Sequence, residues 1–138
     1  MGPFRGELRW LSNFWPAQVK FAGYTFPCVE NAYQAGKCEN AYDIPRFLTI
    51  QPGQAKRLGK IVAQRHGFDN EKLDFMLNLL RQKFSHEDLK AKLLATGDTP
   101  IVEVNHWRDT FWGVTEEGVG QNKLGKLIGR VRDELRAR

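Results

Sequence analysis

The stretch Phe26–Cys38, FPCVENAYQAGKC, decides the fold expected for this chain. Proline is tolerated in a first helical turn and alanine favours helix, so the stretch predicts an α-helix that begins at Pro27. This helix places Glu30, Gln34 and Lys37 within about 60° of arc on one face. The opposite side carries residues small enough for another backbone to approach closely: Ala32, Ala35 and Gly36. A solvated surface helix is the alternative explanation of the same pattern.

The flanking segments extend this helical prediction over most of the chain. Upstream, AQVKFAGYTF at residues 17–26 alternates apolar and polar side chains around Ala22-Gly23, which predicts a short β-hairpin. Downstream, PIVEVN at residues 100–105 predicts a second strand region. Apolar periodicity and capping residues predict helices near Pro45 and over residues 52–66, 70–84, 86–96 and 123–138. The expected fold class is mainly α (small α+β), a compact single helical domain over residues 1–138 with a short N-terminal β-hairpin.

Composition and charge limit the class of protein. The 138 residues are 41% hydrophobic and 12% aromatic, which suits one domain with a real core. No apolar run is long enough to cross a bilayer, so no membrane-spanning helix is expected. Arg5, Glu7 and Arg9 lie where a signal peptide would need apolar residues, so secretion is not expected. The net charge of +5 suits an anionic partner, either a phosphate-bearing small molecule or a nucleic acid, although a solvated face of the last helix would also account for much of it.

The two cysteines and the absent motifs restrict the chemistry further. On a continuous helix, Cys28 and Cys38 would be about 15 Å apart, so we expect free thiols and a cytoplasmic location. The sequence contains no CxxC, HExxH, GxGxxG, Walker A or GxSxG motif, so we expect neither a metal site nor a cofactor.

The polar residues that lack an evident structural role point to chemistry at a glycosidic carbon. Glu103 lies between two valines of the predicted strand, where a carboxylate needs a partner or a function. A carboxyl group that moves protons and a desolvated lysine that attacks C1 of a sugar are both suited to cleavage of a glycosidic bond. The full set is Asn13, Glu30, Gln34, Lys37, Arg46, Glu103, Asp109 and Asn122, with Trp15 and Trp112 on neighbouring loops.

Seven motifs, in order, resemble those of the NADAR (YbiA-like) family: LSNFWP, VENAYQAGK, AKRLG, MLNLLRQKF, LLATGDTPIVE, DTFWG and GQNKLGKLIGRVRDEL. The resemblance covers residues 9–135. It implies a mainly helical fold and N-glycosidase activity on a ribose C1–N bond. It further implies an ADP-ribose-like or phosphoribosyl ligand, and either ADP-ribosylated guanine in DNA or RNA or a ribosylaminopyrimidine phosphate of riboflavin synthesis as substrate. Family members that remove ADP-ribose from guanine can serve as antitoxins to a paired ADP-ribosylating toxin.

The resemblance also assigns expected roles to individual residues. As catalytic residues it implies Lys37, Glu30, Glu103 and Asp109. The resemblance and the polar set above together predict the substrate-binding residues Asn13, Phe14, Trp15, Gln34, Arg46, Trp112, Gly113 and Asn122. One departure is Asn31, which stands where many relatives have histidine, so no imidazole is expected here. Two alternatives of other classes remain: a non-catalytic reader of ADP-ribose or nucleic acid, and a partner-binding domain that masks a toxin.

Overall fold

The computed structural model describes residues 1–138 and is mostly helical, with one two-stranded antiparallel sheet, as the sequence predicts. The chain divides into two compact units. The first unit is Asn13–Lys83, and the second combines Met1–Ser12 with Phe84–Arg138. No helix is both long enough and apolar enough to cross a membrane. The assignment of the whole chain to a single domain stays a prediction.

The sheet of the first unit is the predicted hairpin. Strand β1, Val19–Phe21, pairs with β2, Tyr24–Phe26, so that residue 19 faces residue 26. Ala22 and Gly23 both have positive φ, 53° and 83°. Two consecutive residues in the left-handed region form the tight two-residue turn that matches the twist of paired strands.

The helix at the centre of the sequence prediction, α1, spans Val29–Gly36 and is shorter than expected. Cys28 has an extended backbone and caps the helix N-terminus, while Lys37 caps its C-terminus. Every residue from 29 to 36 is buried, so the solvated-helix alternative is wrong. A Cβ on Gly36 would lie 2.1 Å from the Phe75 ring, which confirms that the small side of the helix packs closely.

The rest of the first unit packs around α1. It contains a 3-10 helix, Ala41–Phe47, and the helices α2, Pro52–Leu58, and α3, Phe68–Lys83. The helix predicted over residues 52–66 is wrong beyond Leu58, because i→i+3 bonds close the last turn. The chain then leaves the helix to pair with the segment after α1: Glu39 N–H donates to Ala63 O and Arg65 N–H donates to Lys37 O.

The second unit contains a 3-10 helix, Gly6–Leu11, and the helices α4, Glu87–Ala95, and α5, Lys123–Arg136. The strand predicted at residues 100–105 is wrong: its only strand-like pairing is an isolated parallel bridge between Val104 and Val114. The neighbouring backbone groups bond instead to the N-terminal residue and to a side chain. Val102 N–H donates to Met1 O, and Glu103 N–H donates to the side chain of Asn122.

Candidate active site

The first cluster of predicted site residues lies in the first unit and comprises Asn13, Glu30, Gln34 and Lys37. Glu30 and Gln34 are one helical turn apart on α1, and Gln34 Nε2 donates to Glu30 Oε1 over 2.9 Å. Only 8% of Glu30 and 5% of Gln34 are exposed. The backbone N–H of Glu30 donates to Asn13 O over 3.0 Å, which ties the SNF segment to the first turn of α1. A carboxylate is thus held by an amide inside the unit.

Lys37 follows α1 directly and completes this cluster. Burial lowers the pKa of the Lys37 amine below its ordinary value, and the attraction of Glu30 opposes this effect in part. The Lys37 Nζ also lies 5.2 Å from the centre of the Tyr33 ring. A lysine with a lowered pKa is more often neutral near pH 7, which is the form that acts as a nucleophile.

Three further predicted residues lie in the first unit: Phe14 lines a cavity, Arg46 forms an ion pair, and Trp15 is half-buried. Phe14 is 43% exposed and lines a cavity of about 240 Å³. The Arg46 guanidinium donates to Asp43 Oδ1 over 2.9 Å, so this arginine is engaged by a neighbouring carboxylate. Trp15 is half-buried. The other residues that line the cavity are Pro16, Pro27, Cys28, Leu48, Thr49, Ile50, Gln51 and Pro52.

The second cluster lies in the second unit and comprises Glu103, Asp109, Trp112, Gly113 and Asn122. The Asn122 amide binds the backbone on both sides of residue 102: its Oδ1 accepts from Glu103 N–H and its Nδ2 donates to Ile101 O, each over 2.9 Å. Asn122 has a positive φ of 50°, which asparagine tolerates better than most residues. The Asn122 side chain therefore positions Glu103, and its predicted contact with substrate stays a prediction.

Asp109 organises the DTFWG loop of this cluster. Its Oδ1 accepts from the backbone N–H groups of Phe111 and Trp112, over 3.1 and 2.9 Å. Such a bond from a side chain to the N–H two residues on is typical of an Asx turn. Gly113 then passes so close to Glu103 that a Cβ would lie 2.3 Å from its carbonyl oxygen. Glu103, Asp109 and Gly113 are thus tied together by the loop.

Two asparagines that the sequence analysis did not assign hold these clusters in place. Asn31 is fully buried on α1, where its Nδ2 donates to Phe47 O and Ile50 O over 2.9 and 2.8 Å. Asn105 forms a reciprocal pair with the Asp109 backbone: Nδ2 donates to Asp109 O and Oδ1 accepts from Asp109 N–H. A buried amide that binds backbone distant in sequence has no signature in a single sequence.

The two glycines inside α5, Gly125 and Gly129, differ in whether a close tertiary contact explains them. Gly125 on α5 leaves room for the backbone of the 101–103 segment, since its Cβ would lie 2.1 Å from Ile101 O. A Cβ on Gly129 would meet nothing within 4 Å, so close packing explains only the first of these two helical glycines.

Cys28 and Cys38 are both free and buried, and no group of three His, Cys, Asp or Glu side chains is placed to hold a metal ion.

The chain belongs to the NADAR family, because the NADAR domain model matches residues 4–136. It is 35% identical to N-glycosidase YbiA of Escherichia coli, over 91% of this chain and 80% of YbiA. It is 34% identical to N-glycosidase Npun_R5314 of Nostoc punctiforme, over 91% of this chain and 85% of that protein. The solved NMR structure of the E. coli protein YbiA matches 99% of this chain and 83% of YbiA, with a TM-score of 0.86 and 30% identity.

A longer relative has a different name. Riboflavin biosynthesis protein VVA0006 of Vibrio vulnificus is 36% identical over 91% of this chain. The chain spans only 35% of that protein's length. The NADAR domain match and the likeness to the YbiA structure establish the family and the fold. The role of each predicted site residue stays a prediction.

Proposed function

We propose that this NADAR-family chain is an N-glycosidase, a hydrolase acting on N-glycosyl compounds, that cleaves a ribose C1–N bond. The observation that carries this proposal is the first cluster, where a half-buried lysine with a lowered pKa lies near a buried carboxyl group. These are the two groups that chemistry at a sugar C1 requires. The names of the E. coli and Nostoc relatives, both N-glycosidases, support the same reaction.

The proposed reaction assigns its steps to two residues of the first cluster, Lys37 and Glu30. The neutral Lys37 amine bonds to C1 while the C1–N bond to the base breaks, and the base leaves with a proton. Opening of the sugar ring gives a Schiff base at Lys37, and water then hydrolyses it, which releases the sugar and restores the amine. The Glu30 carboxylate takes the proton that the Lys37 nitrogen loses on bonding to C1, gives it to the leaving nitrogen, and later accepts a proton from the attacking water. Glu103 and Asp109 are proposed to assist through proton transfer and contact with the ribose hydroxyls.

For the substrate, we propose ADP-ribose attached to guanine in nucleic acid or nucleotides. The net charge of +5 supports a polyanionic substrate of this kind. A second candidate is a ribosylaminopyrimidine phosphate, which is favoured by the names of two longer relatives. These are the Vibrio protein and riboflavin biosynthesis protein PYRR of Zea mays, of which the chain spans 35% and 23%. A paired ADP-ribosylating toxin and a cytoplasmic location belong to the first proposal and stay predictions.

The direct test is incubation with an ADP-ribosylated guanine oligonucleotide and, separately, with the pyrimidine nucleotide. Released ADP-ribose or ribose phosphate is measured by mass spectrometry. We expect turnover of the first substrate and its loss in Glu30→Gln. Tight binding of ADP-ribose without any product from either substrate would instead make the protein a reader.

The covalent step has its own test. Borohydride added during turnover should reduce the Schiff base and leave a sugar mass adduct on the peptide that contains Lys37. Lys37→Ala should lose both the adduct and the turnover, whereas Lys126→Ala, which removes an exposed lysine of α5, should keep both. Full turnover by Lys37→Ala would exclude the covalent role and leave direct attack by water.

A further inference from the structure

The carbonyl oxygen of Gln34 is a buried acceptor with no hydrogen-bond partner. The same side-chain amide donates from Nε2 to Glu30 Oε1 over 2.9 Å. An unpaired buried acceptor destabilises a fold, because its hydration is lost without compensation. The Gln34 amide is therefore oriented so that its NH₂ group binds the Glu30 carboxylate, although this orientation leaves its carbonyl oxygen without a hydrogen-bond partner.

The space for this orientation comes from Gly59. A Cβ built on Gly59 would lie 1.9 Å from Gln34 Oε1 and 2.8 Å from Gln34 Cδ. Both distances are far below van der Waals contact, so any side chain at residue 59 would displace the Gln34 amide. Because Gln34 is only 5% exposed and lies on a fully buried helix, the amide has little room to move without leaving Glu30.

The backbone gives no reason for glycine at this position. Gly59 is the C-cap of α2, with φ −60° and ψ −22°, a right-handed conformation that every residue adopts. The close approach of the Gln34 side chain is the main reason that residue 59 has no Cβ, since the next atom, Ala55 O, would lie 3.3 Å away.

We propose that Gly59 is a positioning residue for the reaction: its missing side chain lets the Gln34 amide hold Glu30 in its reactive orientation. This inference rests on the proposed function, in which Glu30 transfers the proton. Gly59 does not touch the substrate, so it acts only through Gln34. A substitution at residue 59 should then lower kcat and leave KM nearly unchanged.

The experiment compares Gly59→Ala with Gly53→Ala, a second glycine of the same helix region. A Cβ on Gly53 would meet only the tip of the Arg57 side chain, at 3.9 Å, so this control should leave kcat unchanged. We expect Gly59→Ala to lower kcat about 10- to 100-fold, the range for loss of one hydrogen bond to a charged group, with KM changed less than about twofold.

A double mutant separates positioning from general damage. If Gly59 acts through Gln34, then Gly59→Ala added to Gln34→Ala should lower kcat less than about twofold further, because the amide is already absent. An equal loss of kcat in both backgrounds would overturn the proposal, as would a Gly59→Ala enzyme with wild-type kcat.

A second measurement keeps the inference independent of the reaction. The side-chain NH₂ resonances of Gln34 in a ¹⁵N–¹H spectrum should move in Gly59→Ala and stay in place in Gly53→Ala. If no substrate is turned over but the resonances move, the proposed function fails and the steric contact stands. Resonances that stay in place in Gly59→Ala would overturn the inference whatever the wild-type activity.

Discussion

Replacement of Asn122 by alanine should destabilise the second unit by an amount that follows from its contacts. The variant loses the two bonds of the amide, to Glu103 N–H and to Ile101 O, and each is worth about 1 kcal/mol. Asn122 also has φ 50°, and alanine in the left-handed region costs about 1 kcal/mol more. The free energy of unfolding should therefore fall by about 3 kcal/mol, which lowers Tm by about 10 °C for a domain of this size.

Asn122→Gly is the matched control for this prediction. Glycine removes the same two hydrogen bonds but adopts a positive φ without strain, so its cost should be about 2 kcal/mol. Urea unfolding followed by tryptophan fluorescence measures both variants. A loss below about 1 kcal/mol for Asn122→Ala would refute the argument that this amide clamps the 101–103 segment. Equal losses for alanine and glycine would refute only the contribution of the left-handed backbone.

Three further predictions concern the first unit. Burial lowers the pKa of Lys37 below 10.5, so between the folded pKa and 10.5 the unfolded chain binds more protons than the folded chain. The free energy of unfolding in urea should therefore rise with pH through this window. The rise should be steeper for the wild type than for Lys37→Met, which has no amine to titrate. Asn31→Ala removes the donor to Phe47 O and Ile50 O and should cost about 2 to 5 kcal/mol in the same assay, and a loss under 1 kcal/mol would contradict the buried bonds. Burial raises the pKa of Cys38 from 9.0 to about 11, so its alkylation at pH 8 should be roughly 100-fold slower than in the unfolded chain, as measured by mass spectrometry.

The hairpin and the main helices could be predicted because their determinants are local. Ala22-Gly23 lies between two alternating segments, and two adjacent residues with positive φ form the turn that such a pattern needs. The stretch after Leu58 was predicted wrongly as helix, because its apolar residues match a helical period. Ile61 is in fact 77% exposed, since the chain leaves α2 to pair with the segment after α1. Contacts distant in sequence decided this point.

The strand predicted at residues 100–105 failed for a related reason. Alternation of apolar and polar side chains describes an extended chain, but a strand also needs a neighbour with which to pair. The backbone around Glu103 bonds instead to the Asn122 side chain and to Met1, which no local pattern could reveal. The extended conformation was predictable, whereas its partners were not.

By itself, the sequence determined the family, the mainly helical class and the position of Glu30, Gln34 and Lys37 on one turn-spaced face, because helical periodicity and motif order are properties of the chain alone. Only the tertiary structure decided that Glu30 and Gln34 on this face are buried, that the Gln34 amide holds Glu30, and that Gly59 leaves the space for it. Burial and close approach depend on residues far apart in sequence. Partial burial of Lys37 also lowers the pKa of its amine, which supports the proposed role of this face in catalysis.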